Sequence, residues 1–327
     1  MNTFGKIFRI SIWGESHGNA VGITIDGCPA GIAISEKDFL EDLERRKGGS
    51  ALGTTPRKED DNPKILSGVF KEHTTGAPIT IVFENNNTRS SDYDAQRAIP
   101  RPGHADFVLN KKFQGFNDYR GGGHSSGRLT VALVAAGVIA KKIVSETKIR
   151  AQLIEAGGNP NIEAAIQKAI QQQDSIGGIV ECSADGLPIG LGEPFFDSME
   201  SVISHLVFSV PAVKGIEFGS GFEAAKMTGS TNNDSIINES GTTSTNNSGG
   251  INGGITNGNQ LLFRVVVKPT SSTPKEQTSF NLATGNIESF AVKGRHDLCI
   301  ALRAVVVIEA VTAIAIADLS LQSRAQH

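Results

Sequence analysis

The hydrophobic positions along the chain predict short strands in both halves of the sequence. Apolar residues occur in brief runs, some alternating with polar residues, and Gly, Pro, Asn or Ser bounds each run. This pattern is typical of strands with one buried face. The predicted strands cover residues 8–12, 21–25, 65–70, 79–84 and 261–267.

Longer apolar runs predict helices. Residues 129–145 are apolar nearly all round, so this helix should be covered on both sides by other layers. Residues 300–321 form a second such run, which contains Arg303, Glu309 and Asp318. Because charges are costly inside a bilayer, we predict a buried core helix and no membrane partner.

A shorter helix begins at Ser35 and Asp38, which have the spacing of a capping box. This helix ends in the basic cluster Arg45-Arg46-Lys47, followed by two glycines. The cluster has two interpretations of equal weight. It either complements the negative end of the helix or binds an anionic substrate.

Several motifs occur twice. Gly186-Leu187-Pro188-Ile189-Gly190 repeats the spacing of Gly27-Cys28-Pro29-Ala30-Gly31, and each half contains a Gly/His/Asp motif before an apolar helix. We interpret residues 1–327 as one domain of two pseudo-repeated halves, about 1–150 and 175–327. Residues 146–175 are predicted to be a short connection with one weak helix, and the polar residues 229–248 a mobile segment.

Composition narrows the function. The chain has 327 residues and a net charge of −3, so no overall positive field favours nucleic acid. Three scattered cysteines predict neither a disulfide framework nor a metal site and fit a reducing compartment. The first residues lack an apolar signal core, so we expect a cytoplasmic protein.

Residues 101–130 contain the densest group of candidate functional residues. Gly121-Gly122-Gly123 lets the backbone approach a ligand, and two serines and a helix start follow it. A glycine run alone is more often a flexible connection, but the Arg, His and Ser around this one favour an anion site. His17, between glycines after a strand, and Lys268 near Ser271 and Ser272 are further candidates.

Taken together, eight motifs in this order resemble the chorismate synthase family over nearly the whole chain. Their positions are 14–18, 101–106, 118–123, 190–194, 212–215, 249–254, 268–272 and 294–297. The resemblance implies an α+β fold, a β-α-β sandwich with a helical layer between antiparallel sheets, assembled as a homotetramer. It also implies a reaction: 5-enolpyruvylshikimate 3-phosphate loses phosphate and a ring proton by 1,4-elimination, giving chorismate. Reduced FMN is required without net redox.

The family's catalytic roles map onto three residues. By resemblance, His17 protonates the leaving phosphate, His104 assists at the flavin, and Asp297 relays a proton. A substrate with two carboxylates and a phosphate of about −1.5 to −2 charge requires several cations. We assign substrate binding to Arg46, Arg57, Arg101, Arg120 and Arg128.

The resemblance also implies flavin contacts. The corresponding residues are His124, Ser125, Ser126, Pro211, Ala212, Gly253, Lys268, Pro269, Thr270, Ser271, Ser272 and Arg295. Arg46 matches a position assigned to the phosphate of NADP as well, but we assign it to substrate. The chain departs from the family at His124, where Arg is usual, and at Leu129 and Leu52. We expect an external flavin reductase as a partner.

Two other functions remain open from sequence. An FMN-dependent oxidoreductase would need a nicotinamide site, and no Gly-x-Gly-x-x-Gly motif follows a strand. A non-catalytic flavin- or phosphate-binding protein would not need both His17 and His104.

Overall fold

The computed structural model describes residues 2–47, 52–54, 60–86, 98–292 and 296–326. The first part of the chain forms seven of the described strands: β1 (Thr3–Phe4), β2 (Arg9–Gly14), β3 (Ala20–Asp26), β4 (Lys64–Ser67), β5 (Val69–Phe70), β6 (His73–Thr74) and β7 (Ile79–Glu84). The later strands are β8 (Lys148–Ala156), β9 (Gly178–Asp185), β10 (Val213–Phe218), β11 (Ile251–Asn252), β12 (Ile255–Thr256), β13 (Leu261–Val267), β14 (Gln277–Phe280) and β15 (Ile287–Phe290). The described α-helices are α1 (Leu40–Lys47), α2 (Asp106–Lys112), α3 (Thr130–Ile143), α4 (Ile162–Gln172), α5 (Met199–Ser209), α6 (Gly229–Asn232) and α7 (Ala301–Gln326).

Two antiparallel sheets enclose a layer of helices. The first sheet has the order β1-β2-β3-β7-β4 and the second has the order β10-β13-β9-β8. Helix α3 packs on β2, β3 and β7, α7 packs on β8 and β9, and the two helices pack on each other. The predicted α+β sandwich with a central helical layer is therefore the observed fold.

Close packing of α3 on α7 depends on one glycine. A Cβ atom at Gly137 would lie 2.6 Å from the Cα atom of Ala310, which is closer than real side chains approach. Almost every side chain of α3 is buried, as the continuous apolar run predicts. The two helices together form the centre of the hydrophobic core.

The three charges in the apolar run at residues 300–321, which lies mostly in α7, all have partners. Glu309 accepts two hydrogen bonds from Arg45, at 2.7 and 2.6 Å. Asp318 accepts the backbone N–H groups of residues 6–8, and Arg303 donates to Asp297 Oδ2 at 3.0 Å. The helix is long and apolar enough to cross a membrane, but 89% of its apolar window is buried inside the protein. It is the predicted core helix.

The two halves share connectivity and local contacts. In sheet order, β2-β3-β7-β4 corresponds to β8-β9-β13-β10. Thr74 Oγ1 donates to Pro29 O at 2.7 Å and accepts from Ile32 N at 2.9 Å. Thr256 makes the same two bonds, to Pro188 O at 2.7 Å and from Leu191 N at 2.9 Å. On these parallels we propose that the halves are a duplicated unit within one domain.

Three sequence predictions need correction. Residues 146–175 are not merely a connection, because β8 occupies nine of them and forms the edge of the second sheet. Residues 65–70 do not form one strand, since Gly68 takes φ +78° between β4 and β5. Residues 229–248 form α6 and a series of turns, in which the carboxylate of Asp234 accepts bonds from Thr245, Asn247 and Ser248. The predicted mobile segment is thus a folded one.

Candidate active site

A cavity of about 890 Å³ lies where the loops carrying the sequence motifs meet. This volume is in the range of small-molecule sites. Fifteen of the predicted site residues line it: Arg46, Arg101, His104, His124, Ser125, Ser126, Arg128, Pro211, Ala212, Lys268, Pro269, Thr270, Ser271, Ser272 and Asp297. The fold therefore gathers most of the candidates from both halves at one place.

The triple-glycine loop lies close to both candidate histidines. Gly121, Gly122 and Gly123 take φ values of +59°, +84° and +54°, which strongly favour glycine. A Cβ atom on Gly121 would lie 2.5 Å from His17 Nδ1, and one on Gly122 would lie 3.4 Å from His104 Cε1. Glycine is needed here because its missing side chain leaves room for the imidazole of His17.

His104 belongs to a compact group with two charged residues. Its Nδ1 atom lies 2.6 Å from Asp106 Oδ1. Arg101 donates to both oxygens of the same carboxylate, each at 2.8 Å. Burial raises the pKa of Asp106, but its bonds to Arg101 and His104 outweigh this effect and hold that pKa well below its ordinary value. Arg101 also reaches across to Ser272 Oγ at 3.0 Å.

A second charged group lies deeper in the cavity wall. The fully buried carboxylate of Asp61 is bound by Arg46 Nη2 at 2.6 Å and by Arg128 Nη1. Burial alone would raise the pKa of Asp61, yet the two guanidiniums keep it below the ordinary value. Burial lowers the pKa of Arg46 to about 10, so Arg46 stays protonated near neutral pH. Two fixed positive charges and one negative charge therefore face this part of the cavity.

The third predicted catalytic residue, Asp297, lies just before α7. Asp297 is nearly buried and its Oδ2 atom accepts from Arg303 Nη1 at 3.0 Å. Arg303 also donates through Nε to the carbonyl oxygen of Arg46, at 2.9 Å. This bridge joins Asp297 to the arginine pair at Asp61.

The loop after β13 closes the cavity from the second half of the chain. Lys268 Nζ and Ser271 Oγ both donate to the carbonyl oxygen of Gly103, the serine at 2.9 Å. Lys268 N donates to Ala212 O at 2.9 Å, and Ala212 itself takes φ +73°. Such a conformation is uncommon for a residue with a side chain and is often found at functional sites.

The basic cluster at the end of α1 is divided between ion pairs and the cavity lining. Arg45 is bound to Glu309 and Asp42, away from the cavity. Arg46 and Lys47 line the cavity. One cation of the three therefore stabilises the helical layer, and two contribute to the site.

Some predicted site residues lie elsewhere. His17 is buried behind Gly121 rather than on the cavity surface. Arg120 is paired with Asp118 through two bonds of 2.8 Å and does not line the cavity in the described part of the chain. Gly253 is exposed at the turn between β11 and β12, and Arg57 and Arg295 fall outside the described residues.

Asp61, Arg303 and His205 are among the cavity residues that were not predicted as site residues. Asp61 lies in a polar stretch with no periodic signal, and its importance appears only through its long-range ion pairs. Arg303 was visible as a charge within an apolar helix, which is the one signal that could have identified it. His205 lines the cavity and packs edge-to-face on Phe4, with ring centroids 5.4 Å apart.

Basic residues outnumber acidic residues around the cavity although the chain is acidic overall. Among the described residues, seven Lys or Arg line it, against Asp61 and Asp297 as the acidic residues. Guanidiniums bind carboxylates and phosphates through paired hydrogen bonds. The cavity is therefore built for a ligand with several negative charges.

Comparisons with known proteins agree on one family. A family model described as chorismate synthase matches residues 8–321. A chorismate synthase of Chitinophaga pinensis is 65% identical over 322 residues, covering 98% of this chain and 97% of that protein. One of Dehalococcoides mccartyi is 45% identical over 353 aligned positions, covering 98% of this chain and 97% of that protein.

A solved structure agrees with the sequence relatives. The crystal structure of a chorismate synthase matches with a TM-score of 0.76 and 27% sequence identity, covering 98% of this chain and 93% of that one. With the family model spanning nearly the whole sequence, the chain belongs to the chorismate synthase family, the carbon–oxygen lyases that form chorismate in the shikimate pathway.

Proposed function

We propose that the cavity between the two halves is where 5-enolpyruvylshikimate 3-phosphate is converted to chorismate. The observation that carries this proposal is the triple-glycine loop, which lies close to His17 at Gly121 and to His104 at Gly122, beside a cavity in which basic residues outnumber acidic ones. A reaction that removes a phosphate and a proton needs anion binding and proton transfer at one place. The cavity offers both.

Arg46 and Arg128 would bind the anionic groups of the substrate. Both are buried, and Asp61 holds their guanidiniums in fixed positions. Fixed charges in a site with little water stabilise anions more strongly than mobile surface lysines do. Arg120 and Arg57 would contribute as further cations, as the family resemblance implies.

His17 would protonate the departing phosphate as the carbon–oxygen bond breaks. The substrate also loses one ring proton, so the products are chorismate and phosphate. His104 and Asp297 would each hold and release protons near the ring, and Asp297 is kept in place by Arg303. A positioned acid or base of this kind contributes about 10²–10⁴-fold in rate.

The residues that line the cavity fit reduced FMN. Thr270 Oγ1 is buried and has no hydrogen-bond partner among the described residues, so it offers a polar atom to a ligand. His124, Ser125, Ser126, Pro211, Ala212 and the loop Lys268–Ser272 would hold the cofactor, with Gly253 and Arg295 as further contacts. When bound, reduced FMN supplies an electron-rich ring that assists phosphate loss without net oxidation.

The assembly and setting are also part of the proposal. We expect a cytoplasmic homotetramer that obtains reduced FMN from an external flavin reductase. NADP would not bind as a substrate, because we assign Arg46 to 5-enolpyruvylshikimate 3-phosphate and no Gly-x-Gly-x-x-Gly motif follows a strand.

An anaerobic assay tests the function. Purified protein, chemically reduced FMN and substrate should give chorismate, followed by its absorbance, together with one phosphate per turnover. Absence of product under these conditions would remove the assignment of this cavity to the reaction. NADPH oxidation without an added reductase would instead favour an oxidoreductase, and FMN binding without turnover a non-catalytic protein.

A further inference from the structure

Asp106 connects the loop that carries His104 to the helix that follows it. It is the first residue of α2, and its carboxylate accepts the backbone N–H of Arg101 at 3.2 Å as well as the guanidinium of that residue. His104 Nδ1 lies 2.6 Å from Asp106 Oδ1. One carboxylate thus contacts a candidate catalytic imidazole and a buried arginine together.

The contacts of Nδ1 determine where the imidazole carries its proton. Arg101 Nη2 lies 3.1 Å from Nδ1, and Asp106 Oδ1 lies closer, at 2.6 Å. A guanidinium can only donate and an ionised carboxylate can only accept. If Nδ1 accepted a hydrogen bond from Arg101, its lone pair would face the ionised carboxylate oxygen of Asp106 at 2.6 Å, and the two would repel each other. The shorter distance to the carboxylate therefore favours a hydrogen on Nδ1, directed towards Asp106.

The other ring nitrogen is then the reactive one. In a neutral imidazole, one nitrogen donates and the other accepts. With the hydrogen on Nδ1, the lone pair is on Nε2. The edge of the ring that carries Nε2 faces the glycine loop, because a Cβ atom on Gly122 would lie 3.6 Å from it. His104 lines the cavity beside this loop.

We infer that Asp106 is a positioning residue, which fixes the tautomer of His104 so that protons enter and leave only at Nε2. This inference rests on the proposed function, in which His104 transfers protons in the cavity. In each transfer a proton adds to the Nε2 lone pair and later leaves from the same atom. The Nδ1–H bond to Asp106 stays intact, and Arg101 keeps its charge throughout.

Arg101 is the counterion that makes this arrangement stable. Its two bonds to Asp106 keep the carboxylate ionised and oriented, and its bond to Ser272 anchors the pair to the second half of the chain. The alternative is that Asp106 only stabilises the start of α2 and the position of Arg101. Its contact with His104 would then have no effect on the tautomer of the ring. The two possibilities predict different tautomers after Asp106 is replaced.

Nitrogen NMR of the ligand-free protein separates these possibilities without any assay of turnover. The protein is labelled with ¹⁵N-histidine, and the His104 signals are those that disappear in His104→Gln. In the wild type, the neutral His104 ring should be the Nδ1–H tautomer. In Asp106→Ala, Arg101 Nη2 is the remaining neighbour of Nδ1, so the ring should change to the Nε2–H tautomer. Asp106→Asn should reduce the Nδ1–H population. An Nε2–H wild type, or a tautomer unchanged in both variants, would overturn the inference.

Asp118→Asn is the matched control. Asp118 is also paired with an arginine through two hydrogen bonds, and it lies in the segment before the glycine loop. Its replacement should leave the His104 tautomer unchanged. A change there equal to that in Asp106→Ala would mean that any disturbed ion pair alters His104, which would also overturn the inference.

Turnover supplies the second measurement. Asp106→Asn should lower kcat by about 10²-fold or more with little change in KM, because the positioning of a catalytic base is lost while the arginines of the anion site remain. Asp106→Glu, which retains a carboxylate, should recover part of the loss. Unchanged kcat in Asp106→Asn would reject the role. Because the NMR result does not depend on chorismate formation, failure of the proposed function would be recognised separately.

Discussion

His17 and His104 lie close to neighbouring glycines of a single loop, since a Cβ atom on Gly121 would lie 2.5 Å from His17 Nδ1 and one on Gly122 would lie 3.4 Å from His104 Cε1. They come from distant parts of the first half, one after β2 and the other before α2. The loop brings them together because three successive glycines with positive φ leave room for nearby rings. The two histidines therefore lie close to one segment of backbone beside the cavity.

Replacing either histidine should lower turnover while leaving the fold intact. We expect His17→Ala and His104→Ala each to reduce kcat by about 10²–10⁴-fold, the usual contribution of a positioned acid or base. The assay is chorismate formation with chemically reduced FMN, and size-exclusion chromatography checks the assembly. His73→Ala, an exposed histidine, is the control and should keep wild-type turnover. Normal rates in both His17→Ala and His104→Ala would reject their roles.

The sequence predicted the layers of the fold better than its edges. The continuous apolar runs of α3 and α7 identified the central layer, because a helix that is apolar on every side must be covered by other layers. Strand β8 was missed because Ile149, Ala151 and Leu153 alternate with charged and polar residues and are only half-buried. Such a strand resembles a polar connection when its sheet partner is unknown.

The prediction of the site from sequence was limited in the same way, because local patterns do not show which distant segments meet. Motifs around His104 and the glycine loop were recognisable because their residue types are unusual together. Asp61 was not, since a single aspartate in a polar segment gains its role only when folding brings Arg46 and Arg128 to it. Local patterns can identify loops that bind ligands, but they do not reveal ion pairs between distant segments.

A methyl group on the glycine loop should disrupt the site. In Gly121→Ala, the new Cβ would lie 2.5 Å from His17 Nδ1, and φ +59° is unfavourable for alanine. We expect a loss of turnover of about 10²-fold, caused by displacement of His17. Gly229→Ala is the control, because its Cβ meets nothing within 4 Å and its φ is not positive. If both variants were equally active, the close approach of Gly121 to His17 would have no functional importance.

Removing the charge of Asp61 should destabilise the protein. Asp61→Asn leaves two buried guanidiniums with a neutral partner, and breaking a buried ion pair typically costs about 3–5 kcal/mol. Urea unfolding measures the change in the free energy of unfolding. Lys226→Ala breaks the exposed pair with Glu223 and should cost only about 0–1 kcal/mol. Equal effects of the two substitutions would contradict a structural role for the Asp61 ion pairs.

The same carboxylate should make stability depend on acid pH. Arg46 and Arg128 keep the pKa of Asp61 below the value of an unfolded aspartate, which is about 3.9. The stabilisation is therefore fully present above about pH 5 and is lost as pH falls toward the lowered pKa, because the unfolded aspartate takes up a proton at a higher pH than the folded one. Urea unfolding from pH 7 to pH 3 should show a steeper loss of the free energy of unfolding in the wild type than in Asp61→Asn. The difference between the two proteins should shrink toward acid pH, since the variant lacks this titrating group. Parallel curves over the whole range would mean that Asp61 does not contribute to the acid sensitivity of the fold.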